Sequence, residues 1–213
     1  MQELPTGLFF LATILISAIF HEFSHGAMAN YLGDPTAKNA GRLTLNPIPH
    51  IDPIGTILLP GLLLLSGSPF LFGWAKPVPY NPYNLRYQKW GQALVGAAGP
   101  LTNILIALVF SLIIRFTPGL NENLLIFFGI IVFANLILAI FNFIPIPPLD
   151  GSRLLFSALP PSMLRYQYML ERYGFVILLL FIFFGGGILS FLIGNSMVIA
   201  VGLENTNQIF SAL

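Results

Sequence analysis

The sequence has no cysteine among its 213 residues, and only 8% of them are charged. Without cysteine there are no disulfides, no thiolate metal sites and no cysteine nucleophile. The scarcity of charge excludes more. A soluble domain of average composition carries about 25% charged residues, so this chain lacks the polar material to cover a globule in water. A net charge of +1 leaves too few cations to neutralise a run of phosphates, and no nucleic-acid partner is expected. Apolar residues make up the difference, at 56% of the chain. The composition is that of an integral membrane protein.

Uncharged runs locate the crossings. Leu4–Phe20 reaches His21 and Glu22 and continues in apolar or small residues to about Leu32. Trp90–Ile114, Asn123–Leu149 and Tyr173–Leu203 are the other long runs. A crossing needs about 20 apolar residues, so four spans are expected, at about 5–32, 90–117, 123–146 and 173–193. Gly185–Gly187 leave open whether the last run is one span or a broken one. The first run carries Glu3, no leading cation and no small-x-small site ahead of His21, which argues against a signal peptide.

Pro53–Ala75 is also uncharged but has a different texture, with Pro60, Pro69 and four glycines. A helix through Pro60 and Gly61 is expected to kink or break, so the segment either crosses or enters and leaves by one face. Cation placement separates the two. If it is re-entrant, the loops at 33–52, 76–89 and 150–172 share one side and hold eight of the nine Lys and Arg. By the positive-inside rule those loops are then cytoplasmic and the N-terminus is outside. The expectation is an all-α polytopic membrane protein forming one domain over 1–213, with about four full transmembrane helices and a re-entrant hairpin at 53–75. Short extended cytoplasmic segments complete it: Thr36–Leu45, with strand-like alternation around Arg42–Leu45, and the proline-rich stretch 73–83.

Within the first span, residues 21–25 read His-Glu-Phe-Ser-His, an HExxH motif. A carboxylate near a helix centre costs about 2.5–3.5 kcal/mol on insertion scales, which makes Glu22 a functional candidate by default. At about 100° per residue, His21 and His25 fall one turn apart on one face, close enough to share a metal ion. Glu22 lies on the neighbouring face, where it can take a proton from water. A purely structural role for these residues would need only one of them, with a partner.

A catalytic zinc commonly takes three protein ligands. The candidates for the third are His50, Asp34, Asp52 and Asp150. Asp34 and Asp52 precede prolines, and Asp52-Pro53 has the form of an N-cap followed by proline at the first helical position, so capping outweighs ligation for both. His50 is a ligand, a gate or neither. Asp150 follows Pro145, Pro147 and Pro148, which forbid regular helix at the end of a long apolar run. It is either the N-cap of a helix starting near Ser152 or a metal ligand. Topology bears on the choice: with 53–75 re-entrant, Asp150 emerges on the side of the histidines, whereas a full crossing would leave it most of a ~30 Å core away.

The HExxH pattern, Gly99-Pro-Leu-Thr-Asn103 in a middle span and Asn142-Phe-Ile-Pro-Ile-Pro-Pro-Leu-Asp-Gly151 resemble, in order and spacing, the site-2 protease family of intramembrane zinc metalloproteases. The stretch NPIPHIDPIGTILLP, followed by FGWAKPVPYNP, is similar to the small bacterial and archaeal members. The resemblance implies that His21, His25 and Asp150 ligate one Zn2+ per chain and that Glu22 is the general base. It implies that Asn142 holds substrate backbone and that Asn103 supports the same substrate-binding region. The expected partners are the lipid bilayer and a membrane-protein substrate with a transmembrane helix, cleaved in the plasma membrane toward the cytoplasmic side. Such a substrate would unwind and add as a strand to Thr36–Leu45 or to 75–80. This length leaves no room for an extramembrane PDZ or nucleotide-sensing domain. A metal-ion transporter and an inactive zinc-binding scaffold are the competing readings.

Overall fold

The computed structural model describes residues 3–66 and 73–212. Its α-helices in chain order are α1 (Glu3–Tyr31), α2 (Thr36–Asn39), α3 (Leu59–Leu65), α4 (Gln88–Phe116), α5 (Glu122–Phe143), α6 (Gly151–Ala158), α7 (Leu164–Phe184), α8 (Gly186–Val201) and α9 (Leu203–Ala212). Four of them, α1, α4, α5 and α7, are long and apolar enough to cross a membrane. The protein is a multi-pass membrane protein.

Helix α4 lies between α1 and α5 and packs on both, and α1 also meets α5. Its buried residues Gly96, Gly99, Pro100, Asn103, Ala107, Ser111 and Ile114 recur at three- and four-residue steps, as one helical face requires. Most are small, which brings the backbones close. This matters in lipid, where packing and interhelical hydrogen bonds replace the hydrophobic drive. A buried polar ladder locks the register of the three helices. Asn135 of α5 donates to Ser17 Oγ of α1 (2.9 Å), and Asn103 of α4 donates to Asn135 Oδ1 (2.9 Å).

After Phe143 the prolines end α5, and residues 144–150 proceed through short turns, Ile146 to Ile144 and Leu149 to Ile146. The fourth long apolar helix has other bounds than the span expected at 173–193: it begins at Leu164 and stops at Phe184. Arg165, Glu171 and Arg172 are tolerated in its first turns, where long polar side chains reach water. The 173–203 run is broken at Gly185, whose N–H closes α7 on Phe181 O. Helix α8 then packs against α4 and α5. The one cation outside the loops at 33–52, 76–89 and 150–172, Arg115, donates to Ile199 O (2.5 Å) and Ala200 O (2.8 Å), satisfying two carbonyls at the C-terminal end of α8.

No strand occurs among the described residues. Instead of the expected alternation, Thr36–Asn39 form α2 and Gly41 turns the chain with φ +66°. Arg42 reaches the 73–81 segment with its side chain, donating to Lys76 O (2.8 Å). Residues 73–81 carry no regular secondary structure, Asn81 is extended, and Pro77 and Pro79 favour extended backbone for the residues before them.

Of the kink or break expected at Pro60 and Gly61, the break does not occur. The turns at Pro53–Leu58 widen to π-helical spacing and continue into α3. Proline 60 has no N–H to offer Gly55 O, and that carbonyl accepts from Trp74 N instead (3.1 Å). Asp52 caps the segment, its Oδ1 accepting from Ile54 N (3.0 Å) and Gly55 N (2.7 Å). Lys76 N donates to His50 O (2.8 Å) and Thr56 Oγ1 to Trp74 O (2.8 Å), so the two ends of 53–75 lie together. Part of this segment, 67–72, falls outside the described residues.

Asp34 joins the end of α1 to the loop before α4. Its Oδ1 accepts from Thr36 N (3.2 Å), Thr36 Oγ1 (2.5 Å) and Asn84 Nδ2 (2.8 Å), and its Oδ2 from Asn81 N (2.6 Å). Burial pushes this carboxyl up, but the hydrogen bonds from Thr36, Asn84 and Asn81 outweigh it and hold it below the ordinary carboxylate range. A depressed folded-state value means that this stabilisation is present above the unfolded value of ~3.9 and is lost as pH falls through the folded one. Asp34→Asn is therefore expected to cost about 1–3 kcal/mol at pH 7. Thermal midpoints followed from pH 7 to pH 3 should converge for the two proteins on acidification; parallel curves would contradict this.

Candidate metal centre

HExxH occupies the second half of α1, and the helix places the two rings one turn apart, with centroids 4.6 Å from each other. His21 Nε2 lies 3.0 Å and His25 Nε2 3.1 Å from the same oxygen, Asp150 Oδ2. All three side chains are buried. One ligand atom from each lies within 4.8 Å of the others, a spacing that can hold a metal ion. Helix α1 and the turn after α5 thus meet across 125 residues of sequence.

The hydrogen bonds behind the rings say what belongs between them. His25 Nδ1 is 2.6 Å from Val95 O, a carbonyl that can only accept, so Nδ1 carries the proton. His21 Nδ1 is 2.6 Å from Asn103 Oδ1, and Asn103 spends its amide hydrogens on Asn135 Oδ1 and Ser17 O. Neutral rings held this way turn two Nε2 lone pairs toward an Asp150 oxygen. Three electron-rich atoms at about 3 Å repel unless a cation lies among them. Protons would make two adjacent imidazolium ions, whereas one divalent ion satisfies every atom with neutral rings. Histidine ligands oriented by a second hydrogen bond are the usual arrangement around zinc. The donor set fits a metal.

The position of Asp150 bears on the alternative left open above. It occupies the N-cap position of α6, yet its carboxylate makes no capping hydrogen bond and turns to the histidines. Arg153 Nη1 lies 3.3 Å from Oδ1. Burial pushes the carboxyl up, and the charge of Arg153 beside it pulls it down.

Glu22 is half-buried, and its Oε2 accepts from Val78 N at 2.8 Å. Asn103, expected near substrate, is fully buried behind His21 and orients that ring. Asn142 is half-buried and donates to Leu138 O of its own helix (2.9 Å). His50 does not join the cluster: its Nε2 donates to Thr44 O (2.8 Å). Asp34 and Asp52 are occupied by the backbone and side-chain donors described above.

Sequence reasoning met Gly99 only as part of a motif, without a role, and overlooked Val95, Asn135 and Ser17. A Cβ built on Gly99 would lie 2.6 Å from both Nε2 atoms, in the space an ion would use. Gly99 therefore bares the α4 backbone beside the two Nε2 atoms. Asn135 and Ser17 had a legible signal, as polar residues in apolar runs. Val95 contributes only its carbonyl, which no residue type announces.

Comparison with known proteins followed the same line. The family model for peptidase family M50 matches residues 118–181, a stretch that contains Asp150. The Bacillus subtilis protein named "Putative zinc metalloprotease YwhC" is 37% identical over 183 residues, covering 80% of this chain and 78% of that protein. Two others bear the same description. Rip2 of Mycolicibacterium smegmatis is 29% identical over 80% of this chain and 66% of its own length. MJ0611 of Methanocaldococcus jannaschii is 37% identical over 64% of this chain and 63% of its own. No solved structure matches significantly.

Gly99→Ala is expected to abolish stoichiometric metal binding while leaving helix content intact, because the added methyl occupies the ion's place. Metal analysis and circular dichroism of the purified variant check this. A variant that keeps its full metal complement would contradict it.

Proposed function

This chain belongs to peptidase family M50, the site-2 protease family, and on that premise we propose that it is an intramembrane zinc metalloendopeptidase that cleaves transmembrane segments of membrane proteins. The observation that carries the proposal is the meeting of two Nε2 atoms and one carboxylate oxygen, with both Nδ1 atoms committed as donors behind them. His21, His25 and Asp150 would hold one Zn2+. Zinc, when bound, supplies a Lewis acid that polarises the scissile carbonyl and makes water acidic near neutral pH.

The remaining work falls to the chain's own groups. Glu22 takes the proton of the attacking water and returns it to the leaving amine, as a general base and then a general acid. Its Oε1 has no hydrogen-bond partner among the described residues, which leaves that oxygen for the proton. A helical substrate has its carbonyls bonded and shielded, so it must unwind before attack. Asn142 Oδ1 is likewise without a partner and suits an N–H of the unwound backbone. The joined ends of 53–75 support a re-entrant path for that segment. With it the cation-rich loops share one face, which puts the centre toward the cytoplasm and the N-terminus outside, in the plasma membrane.

Glu22→Gln should retain about one zinc per chain and lose about 10²–10⁴-fold in cleavage of a model transmembrane substrate. Unchanged cleavage would refute the base. Asp150→Ala should lower zinc occupancy. A wild-type protein that carries zinc across liposomes and cleaves nothing would establish the transport reading instead.

A further inference from the structure

The segment 73–81 contains the tripeptide Pro77-Val78-Pro79, and the single N–H within it is the one bonded to Glu22. We propose that the Val78 amide is a positioning group for the general base, built into a backbone strut whose purpose is to hold that one donor still. This rests on the protease reading above and adds a residue to its chemistry.

The strut is stiff by composition. Pro77 and Pro79 each fix φ near −65°, and each restricts the residue before it to extended conformations. Neither has an N–H, so no neighbouring donor competes for the carboxylate. It is also tied down along its length. Lys76 N bonds His50 O, Lys76 O and Pro77 O accept from Arg42, and Asn81 N bonds the buried Asp34. Tyr80 lies under the Arg153 guanidinium (5.0 Å), and Arg153 in turn contacts Asp150. The Val78 side chain is buried against α1, where a Cβ on Gly26 would come within 2.9 Å of Val78 Cγ1. Gly26 is what lets the strut approach close enough for its amide to reach Glu22.

The consequence is orientation. A glutamate side chain has three rotatable bonds, and a free carboxylate on a helix samples several rotamers. Bonding Oε2 to a backbone donor that cannot itself move selects one of them and leaves Oε1 for water. Such pre-orientation acts on the chemical step rather than on substrate affinity.

The test compares Val78→Pro, which removes the N–H while keeping an extended, apolar residue, with Val78→Ala, which keeps the N–H and trims the side chain. Val78→Pro should bind zinc as wild type and lose about 10–100-fold in kcat with KM within about 2-fold, while Val78→Ala keeps most of kcat. A fully active Val78→Pro, or a Val78→Ala with the same loss, overturns the proposal. Amide exchange supplies a readout independent of activity and of the fold of the proline variant. In Glu22→Ala the Val78 amide should exchange faster while the Lys76 amide does not, and unchanged exchange at Val78 also overturns it. A zinc-loaded wild type that cleaves no membrane substrate fails the protease reading and this inference together. Cleavage by wild type alongside a fully active Val78→Pro fails this inference alone.

Discussion

The contact on which the rest of the molecule depends is the pair of hydrogen bonds behind the histidine rings, His25 Nδ1 to Val95 O and His21 Nδ1 to Asn103 Oδ1. They fix which nitrogen of each ring carries the proton and which faces Asp150. Both partners sit on α4, so the chemistry of α1 is set by its neighbour rather than by the HExxH sequence itself. A tautomer fixed from outside is worth more in a membrane protein than in water. Few other polar groups are available there to compensate for a wrong choice.

Seen this way, the polar ladder from Ser17 through Asn135 and Asn103 to His21 has two effects. It holds three apolar helices in one register, each interhelical hydrogen bond contributing about 0.6–2 kcal/mol in a bilayer. It also ends on the ring that faces Asp150, so slippage between α4 and α5 would misdirect His21. Stability and function share the same bonds. Asp34 and Arg42 do the corresponding work outside the spans, anchoring the segment that reaches Glu22.

Much of this was legible in the sequence, for physical reasons that can be named. The spans follow from uncharged runs, because charge in lipid is expensive. The end of α5 follows from three prolines, and the histidine pair from helical spacing. Asp150 was readable only as an alternative between cap and ligand, since a residue ahead of a helix start suits either. The fourth long helix starts ahead of the uncharged run because Arg165, Glu171 and Arg172 interrupt a linear count of uncharged residues but not a helix. Pro60 does not break its helix either. The carbonyl it cannot serve is satisfied by Trp74, a partner 19 positions from Gly55 that local rules do not see. The strand expected at Arg42–Leu45 failed because its bridge to 76–77 runs through a side chain. The Val95 carbonyl and the Val78 amide lay beyond any reading of residue types, because backbone groups carry no signature.

The central claim is that two imidazoles from α1 and the Asp150 carboxylate grip one ion through Nε2, Nε2 and oxygen. X-ray absorption at the zinc edge of the purified, membrane-extracted protein tests it directly. The account predicts one zinc per chain with two imidazole nitrogens and further light oxygen scatterers at about 2.0–2.2 Å, and the loss of both imidazole signals when His21 and His25 are replaced. A zinc shell with no imidazole contribution, or one that survives the double replacement, would contradict it.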